Sequence, residues 1–461
     1  MSKIEVNAVE PQCGTTLTLG ASGDTVTLGT GASQSGFGRT GTVDWQTTIK
    51  TTTFTAANGE GYFVNTTSGA VTVNLPAGSV GAIVSIKDYA QTFDTANCIV
   101  SANGSEKIEN LTQDLTLNTE GIAVTLVYAD ATRGWQAVNS NEVTNSIKFV
   151  NATGGTITTS GDFKIHTFTG PGTFCVSCAG NPSGSTTVDY LVIAGGAAGG
   201  GGADASGGGG AGGYRFSNGT ASGCYAAGPS PLGASALPVS VQAYPIAVGA
   251  GGSPNPGSAT SRAGCGAVST FSTITSAGGG SGGLGDITPS PGNKDGLNGG
   301  SGGGGGTFSP GSPGQGAVGS GNTPSVSPPQ GNNGGTGATD NATYRVGGGG
   351  GGASATGVNV CNPAPAGGVG GAGLASSING TPTTRAGGGG GGGHPTGTRN
   401  GGAGGSGGGG NGSRFGGPPF NPATAGTVNT GSGGGGSGHI SGGTASGAGG
   451  SGIVIIRYKF Q

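Results

Sequence analysis

Residues 383–410 read TTRAGGGGGGGHPTGTRNGGAGGSGGGG: seven consecutive glycines, a short polar interruption and then more glycine. Fixing a glycine in regular structure costs roughly 0.5–1 kcal/mol relative to alanine. An ordered protein therefore carries such a run only where its backbone geometry requires residues without a β-carbon. This stretch decides the fold of the C-terminal part of the chain, because similar runs recur there.

The glycine is concentrated in one part of the chain. Of the 114 glycines among 461 residues, 16 precede Glu142, so 114 − 16 = 98 follow it. A strict Gly-X-Y period is absent, which excludes a collagen triple helix. Low-complexity disorder is the alternative that this composition leaves open. The long runs lie at 277–283, 299–306, 347–352, 367–373, 387–393, 401–412, 431–438 and 447–452.

One backbone conformation makes direct use of bare glycine. It has three residues per turn, a rise of about 3.1 Å per residue and no internal hydrogen bonds. Such polyglycine II helices can lie close enough for every N–H and C=O to bond to a neighbouring helix. Most of the runs have six to eight residues, or roughly 20–25 Å at that rise. We therefore expect rods that cross one slab, with connecting loops on its two faces.

Strand-like segments surround the glycine runs. GYFVNTT, AVTVNLP, AIVSIKD and AVTLVYAD are short apolar segments separated by turn signals such as NGEG and PAGS, which is typical of a β domain. FKIHTFTG and VDYLVIAGG precede the glycine-rich region, and SGIVIIRYKF follows it. We predict that this last strand pairs with the set around 163–194, so that the glycine-rich region is an insertion in one β platform.

The predicted fold class is therefore all-β modules followed by a glycine-rich bundle of polyglycine II helices inserted in a β platform, with essentially no α-helix. The N-terminal near-repeat LTLGASGDT–VTLGTGASQ is too small to hold a core alone, so neighbouring subunits would complete it. The predicted divisions are an N-terminal β segment for trimerisation at 1–41, a small β-sandwich-like module at 42–142, the platform at 143–194, the glycine-rich domain at 195–452 and the returning strand at 453–461.

The order of the runs predicts their directions. Those beginning at 277, 347 and 387 follow similar sequences, STFSTITSAGGG, NATYRVGGGG and TPTTRAGGGG. Strict alternation, with 447–452 leading back into the final strand, predicts that all three run away from the platform. The far-face loops, including 353–366 and 394–400, would then hold the candidate binding residues, and 413–430 would lie on the platform side. Those candidates are His394, Arg399, Asn400, His439, Lys294, Asp286 and Arg262.

Composition and motifs argue against catalysis. Only 8% of residues are charged and the net charge is −2, so no basic footprint for nucleic acid is present. The sequence contains no run of 18 apolar residues, the length that would predict a membrane-spanning helix. The CVSC segment at 175–178 lacks the second cysteine pair of a zinc site, and the sparse carboxylates form no evident pair for glycoside hydrolysis. We predict no enzyme activity, no cofactor and no metal.

The sequence resembles a known group of viral proteins. HTFTGPGTFCV (166–176), VDYLVIAGGAAGGGG (188–202) and YPIAVGAGG (244–252) resemble the glycine-rich domain of bacteriophage tail-fibre proteins. The runs are similar to those of T-even-type phage adhesins, in which polyglycine II helices form a sandwich and loops at its tip contact the bacterial receptor. SKIEVNAVEPQCGTTLTLGASGDTVTLG (2–29) is similar to the N-terminus of many marine-phage fibre proteins.

This resemblance implies a virion protein made in the host cytoplasm. Its N-terminal segment would attach to a phage tail or baseplate protein, and the chain would form a homotrimer. Its tip would bind a host outer-membrane protein or a surface glycan. A structural or ice-binding extracellular protein built on the same rods is the alternative, and a glycan depolymerase would need acidic clusters that the sequence does not show.

Overall fold

A computed structural model of the chain describes residues 43–138, 149–181, 184–219, 233–257, 260–285, 293–307, 315–339, 345–361, 365–394, 400–414, 420–438 and 444–461. The chain forms two compact units, Met1–Ser146 and Ile147–Gln461. The described residues contain strands but no helix, and hence none that could cross a bilayer. The predicted attachment segment at 1–41 lies outside the described residues.

The first unit is a sandwich of two sheets between which the chain alternates. One sheet has the order β1-β3-β5-β8-β9 and the other β2-β4-β6-β7. The first three strands of each sheet are mutually parallel, and the remaining pairs are antiparallel. The strands are β1 (Asp44–Lys50), β2 (Phe54–Thr55), β3 (Glu60–Val64), β4 (Val71–Asn74), β5 (Ile83–Asp88), β6 (Cys98–Ser101), β7 (Leu115–Leu117), β8 (Ala123–Asp130) and β9 (Gly134–Ala137).

Alternation along these strands builds one core. In β8, Val124, Leu126 and Tyr128 are buried while the residues between them are more exposed, because successive side chains of a strand point to opposite faces. The inward-facing residues of both sheets form a single cluster that includes the fully buried Trp135.

The second unit is built on a platform of two sheets. Their orders are β10-β13-β17-β18-β19 and β11-β12-β24-β14-β15, with β16 added at the end of β14. The platform strands are β10 (Val150–Thr153), β11 (Thr156–Ser160), β12 (Phe163–Phe168), β13 (Gly172–Ala179), β14 (Thr187–Ile193), β15 (Tyr214–Phe216), β16 (Leu237–Pro238), β17 (Ala243–Ala247), β18 (Ser269–Phe271), β19 (Ile274–Ser276) and β24 (Ile453–Lys459). Two short hairpins complete the unit: β20 (Ala338–Thr339) with β21 (Arg345–Val346), and β22 (Leu374–Ser376) with β23 (Thr383–Arg385).

The C-terminal strand is the centre of the platform. β24 lies between β12 and β14 and is antiparallel to both, so the glycine-rich region leaves and re-enters one sheet. Val454, Ile456 and Tyr458 pack into the core between the two sheets, whereas Ile453 and Ile455 face a second cluster on the opposite side. This burial on both faces explains the nearly continuous apolar sequence IVII.

The glycine-rich segments are polyglycine II helices, which confirms the predicted fold class. Along 207–213, every backbone N–H donates to another segment at 2.8 to 3.0 Å, and every third donor reaches the same neighbour. A repeat of three with no internal bond defines this conformation. The donors Gly207, Gly208, Gly209, Gly210, Ala211, Gly212 and Gly213 bond to the carbonyls of Gly283, Gly348, Gly434, Gly280, Gly351, Gly431 and Ala277, in that order.

Segment 206–213 is surrounded by six others. It donates to three of them, and its carbonyls accept from three more with the same repeat. Along 207–213, the residue numbers of the accepting carbonyls fall in 277–283 and 431–434, so these two segments are antiparallel to it. They rise in 348–351, so that segment is parallel to it. The six neighbours are 194–200, 277–283, 301–304, 348–351, 389–392 and 431–434.

The directions of the runs differ in part from the prediction. Segments 277–283 and 387–393 do run away from the platform, but 347–352 runs toward it, parallel to 207–213. The reason is that three further helices with fewer glycines, 293–297, 315–320 and 332–336, cross the slab between 277–283 and 347–352. An odd number of extra crossings reverses the direction of the later run.

The chain reverses its direction within one glycine run, 401–412. Residues 401–406 run toward the platform and 409–413 away from it, since Gly409 and Gly412 donate back to Gly405 and Gly402. The turn uses Gly407 and Gly408 at φ values of 97° and 101°, where a side chain is strongly disfavoured. As a result Arg414 and Asn421 lie at the far end of the bundle, opposite to their predicted position. Because 347–352 runs toward the platform, 353–356 lies at the platform end and not at the far face.

Adding a single β-carbon inside the bundle should disrupt it. A β-carbon on Gly208 would overlap the carbonyl of Gly389, whereas one on Gly170 would meet nothing within 4 Å. We expect Gly208→Ala to destabilise the second unit by about 3 kcal/mol or more and Gly170→Ala to change it by less than about 1 kcal/mol. Hydrogen exchange of bundle peptides measures this, and equal protection in both variants would contradict the lattice. Both tryptophans, Trp45 and Trp135, lie in the first unit, so their fluorescence serves as an internal control.

A neutral histidine is buried in the platform. His166 is fully buried, with Nδ1 2.7 Å from the Gly154 carbonyl oxygen and Nε2 3.0 Å from the Tyr458 hydroxyl. Because a carbonyl only accepts, Nδ1 carries the proton and Nε2 accepts from Tyr458. That hydroxyl in turn accepts from the Ala152 N–H. Burial lowers the pKa of His166 and raises the pKa of Tyr458 to about 12.

This arrangement should make the platform sensitive to acid. The folded-state pKa of His166 lies below its unfolded value of roughly 6.5, so its contribution is complete above that pH and is lost as the pH falls below it. We expect the stability difference between wild type and His166→Gln to shrink between pH 7 and pH 5, by at most about 1.4 kcal/mol per pH unit. Denaturation monitored by exchange at several pH values measures it, and a pH-independent difference would refute the assignment.

Candidate functional site

The end of the bundle away from the platform, here called the distal end, holds one set of the connections between the helices. Segments that follow a platform strand, such as 194–202 after β14, finish there, and segments that precede one, such as 207–213 before β15, begin there. The chain thus crosses the slab repeatedly, and every second connection between successive helices lies at the distal end. Loops on a rigid scaffold are common positions for binding residues.

Four of the predicted binding residues are described, and all four lie at the distal end. Arg262 is half-buried and donates from Nη1 to the Asp295 carbonyl at 2.8 Å; burial lowers the pKa of its guanidinium. Lys294 is half-buried, His394 is 6% exposed and Asn400 is exposed. Asp286, Arg399 and His439 lie outside the described residues.

A buried ion pair joins two connections at this end. Arg345 Nη1 lies 2.7 Å from Asp204 Oδ2, and the two side chains are 8% and 0% exposed. Asp204 Oδ1 also accepts from the Ala205 N–H. Asp204 follows the outward segment 194–202, and Arg345 begins the inward segment 345–352, so the pair links parts of the chain that are far apart in sequence.

Side chains also complete the hydrogen bonding where the helices end. Ser206 Oγ donates to the Gly201 carbonyl and accepts from the Gly285 N–H, both at 3.0 Å, and lies 3.0 Å from Ser437 Oγ. Thr307 Oγ1 donates to the Ala205 carbonyl at 2.8 Å. These hydroxyls add side-chain hydrogen bonds to backbone groups at the ends of the helices.

A cavity of ≈ 420 Å³ opens on the flank of the bundle near the distal end. It is formed by three consecutive segments, 400–403, 411–414 and 421–424. Its side chains include Asn400, Asn411, Arg414, Asn421 and Thr424. The sequence did not single out this cavity, because nothing in it shows that these three segments lie side by side.

The described residues do not assemble a metal site or a disulfide from the cysteines at 175 and 178. They contain no group of three or more His, Cys, Asp or Glu side chains that could hold a metal ion. Cys175 and Cys178 lie on β13 and do not form a disulfide, the first exposed and the second half-buried.

Removing one member of the buried ion pair should loosen the distal end. We expect Asp204→Asn to cost about 3–5 kcal/mol, because Arg345 would keep a buried charge without its partner. The double variant Asp204→Leu/Arg345→Met should recover most of that loss. Hydrogen exchange of peptides spanning 194–213 and 345–352 measures both. A loss below about 1 kcal/mol in the single variant would show that the pair is not a stabilising contact.

The chain matches a known family of protein domains. A family model described as a glycine-rich domain matches residues 168–459. No curated protein shows significant similarity to the chain. The matched span begins at the last residue of β12 and ends at the last residue of β24, so it contains the whole bundle and covers more than half of the sequence. The chain therefore belongs to the glycine-rich domain family.

Proposed function

We propose that this protein is a receptor-binding component of a bacteriophage tail fibre, which attaches the virion to its host through the distal end of the glycine-rich bundle. The observation that supports this most is the separation of the bundle into a hydrogen-bonded interior and a set of connections at the end opposite the platform, where Arg262, Lys294 and Asn400 lie. The chain enters this unit through β10 and returns through β24, both in the platform. The distal end is therefore the end available to a partner.

The chemistry of that end suits a polar partner. Its described side chains include Arg262, Lys294, Asn400 and Arg414, which offer hydrogen bonds and positive charge. A rigid framework lowers the entropy lost on binding, because the connections start and end at fixed positions. In a homotrimer present in several copies per virion, weak contacts would add to a high avidity. Host outer-membrane proteins and surface glycans are the partners that fit, and attachment to the virion would use residues 1–41.

Binding to cells tests this proposal. The full chain, labelled with a fluorophore, is incubated with a panel of bacterial strains, and bound fluorescence is measured by flow cytometry. We expect binding to a subset of strains. Replacing 395–399 and 439–443 with glycine–serine segments of the same length should abolish it, since the described residues that flank each segment lie at the distal end.

The matched control replaces 169–171, a connection of the platform between β12 and β13, with Ser-Gly-Ser. This variant should bind as the wild type does. Binding to no strain, or binding that survives both distal replacements, would contradict the proposal. A thermal hysteresis measurement on the same preparation tests the ice-binding alternative, which predicts activity without any binding to cells.

A further inference from the structure

The flank cavity is a preformed site. Asn411 Oδ1 accepts from the Gly404 N–H at 2.9 Å, and the Asn411 N–H donates to Thr424 Oγ1 at 2.7 Å. Arg414 and Asn421 form a two-residue bridge through their backbones, at 2.8 and 3.2 Å. The three segments that line the cavity are thus cross-linked by hydrogen bonds, and their polar side chains are held around a common space.

The cavity carries a positive charge. Arg414 is the one charged side chain among the described residues that line it. Its Nε is buried and has no hydrogen-bond partner among the described residues. The chain contains no Asp or Glu after Asp340, so the sequence around this site supplies no carboxylate. A partly buried guanidinium whose Nε has no hydrogen-bond partner among the described residues favours an anionic ligand, and its planar donors match a carboxylate in particular.

The other lining groups favour hydroxyls. Asn400, Asn421 and Thr424 provide amide and hydroxyl groups, which can both donate to and accept from sugar hydroxyls. The volume of ≈ 420 Å³ lies within the range of small-molecule sites. Large aromatic or aliphatic side chains are absent from the described lining, which disfavours an apolar ligand.

We infer that this cavity binds a carboxylate-bearing sugar unit of a bacterial surface glycan, with Arg414 binding the carboxylate and Asn400 and Asn421 binding ring hydroxyls. The inference rests on the proposed function for the origin of the glycan, but the binding itself does not require a cell. Acidic units of a capsule and of a lipopolysaccharide share this chemistry.

Calorimetric titration of the full chain tests the inference. The probes are methyl glucuronide and N-acetylneuraminic acid, and methyl glucoside is the neutral counterpart of the first. A single sugar unit should bind with a Kd of roughly millimolar size. We expect methyl glucoside to bind at least about tenfold more weakly, because the carboxylate contact to a charged donor is lost. Preference between the two acids indicates which type of glycan supplies the unit.

Two variants locate the contact. Arg414→Gln should weaken glucuronide binding at least about tenfold and remove the preference over glucoside, whereas Arg133→Gln, which changes an exposed arginine of the first unit, should change neither. Asn421→Ala keeps the guanidinium and should weaken the binding of both sugars roughly two- to tenfold. Equal binding of acidic and neutral sugars, no binding of either acid, or full glucuronide binding by Arg414→Gln, would each overturn the inference.

Cell binding separates this result from the proposed function. If the wild type and Arg414→Gln bind cells equally and no acidic sugar binds, the cavity is not the receptor site, while the distal end remains the receptor-binding face. If the acidic sugar binds through Arg414 but no strain is bound, the cavity is a sugar site and the receptor role is refuted.

Discussion

The second unit depends on hydrogen bonds between backbones that must lie too close for side chains. In segment 206–213 the repeat of three directs successive N–H and C=O groups to six neighbours. A β-carbon on almost any glycine of this segment would strike a neighbouring carbonyl. The composition of each helix therefore follows from its number of neighbours. A surrounded helix is nearly all glycine, whereas a helix at the surface has directions in which side chains reach solvent.

The surface helices show this rule in their sequences. Segment 293–297 reads NKDGL, and its one glycine, Gly296, is buried while Lys294, Asp295 and Leu297 are half-buried. Segment 315–320 reads QGAVGS, and its two glycines, three residues apart, donate to Gly306 and Gly303. Such segments look like loops when only glycine runs are counted, and the direction predicted for 347–352 was wrong for this reason. The strands were easier to predict, because a continuous apolar sequence, as in β24 and β14, is typical of a strand that is buried on both faces of a sheet.

Much of the fold could thus be predicted from the sequence, but only part of the candidate site. Alternation of the chain across the slab suffices to place His394, Lys294 and Arg262 at one end. It does not reveal which connections lie side by side, so neither the Asp204–Arg345 pair nor the Arg414 cavity could be inferred. Which helices are neighbours in the bundle depends on which carbonyl accepts from which N–H. Because the glycines are identical, the sequence does not show which pairs form. A single acidic residue among the glycines of 199–210 was the one local signal that Asp204 has a specific partner.

The fold separates stability from recognition. Backbone groups inside the slab satisfy one another, and hydroxyls such as those of Ser206 and Thr307 satisfy the groups at the distal limit. Connections at the distal end join helices whose described backbone groups are already hydrogen-bonded. We therefore expect that side chains in these connections can change without breaking the bonds that hold the helices, as long as each connection spans the same two ends. A cavity formed by neighbouring helices has the opposite property, because its groups are fixed by the lattice itself. Variable contacts are therefore expected from the connections, and an invariant ligand group from the flank.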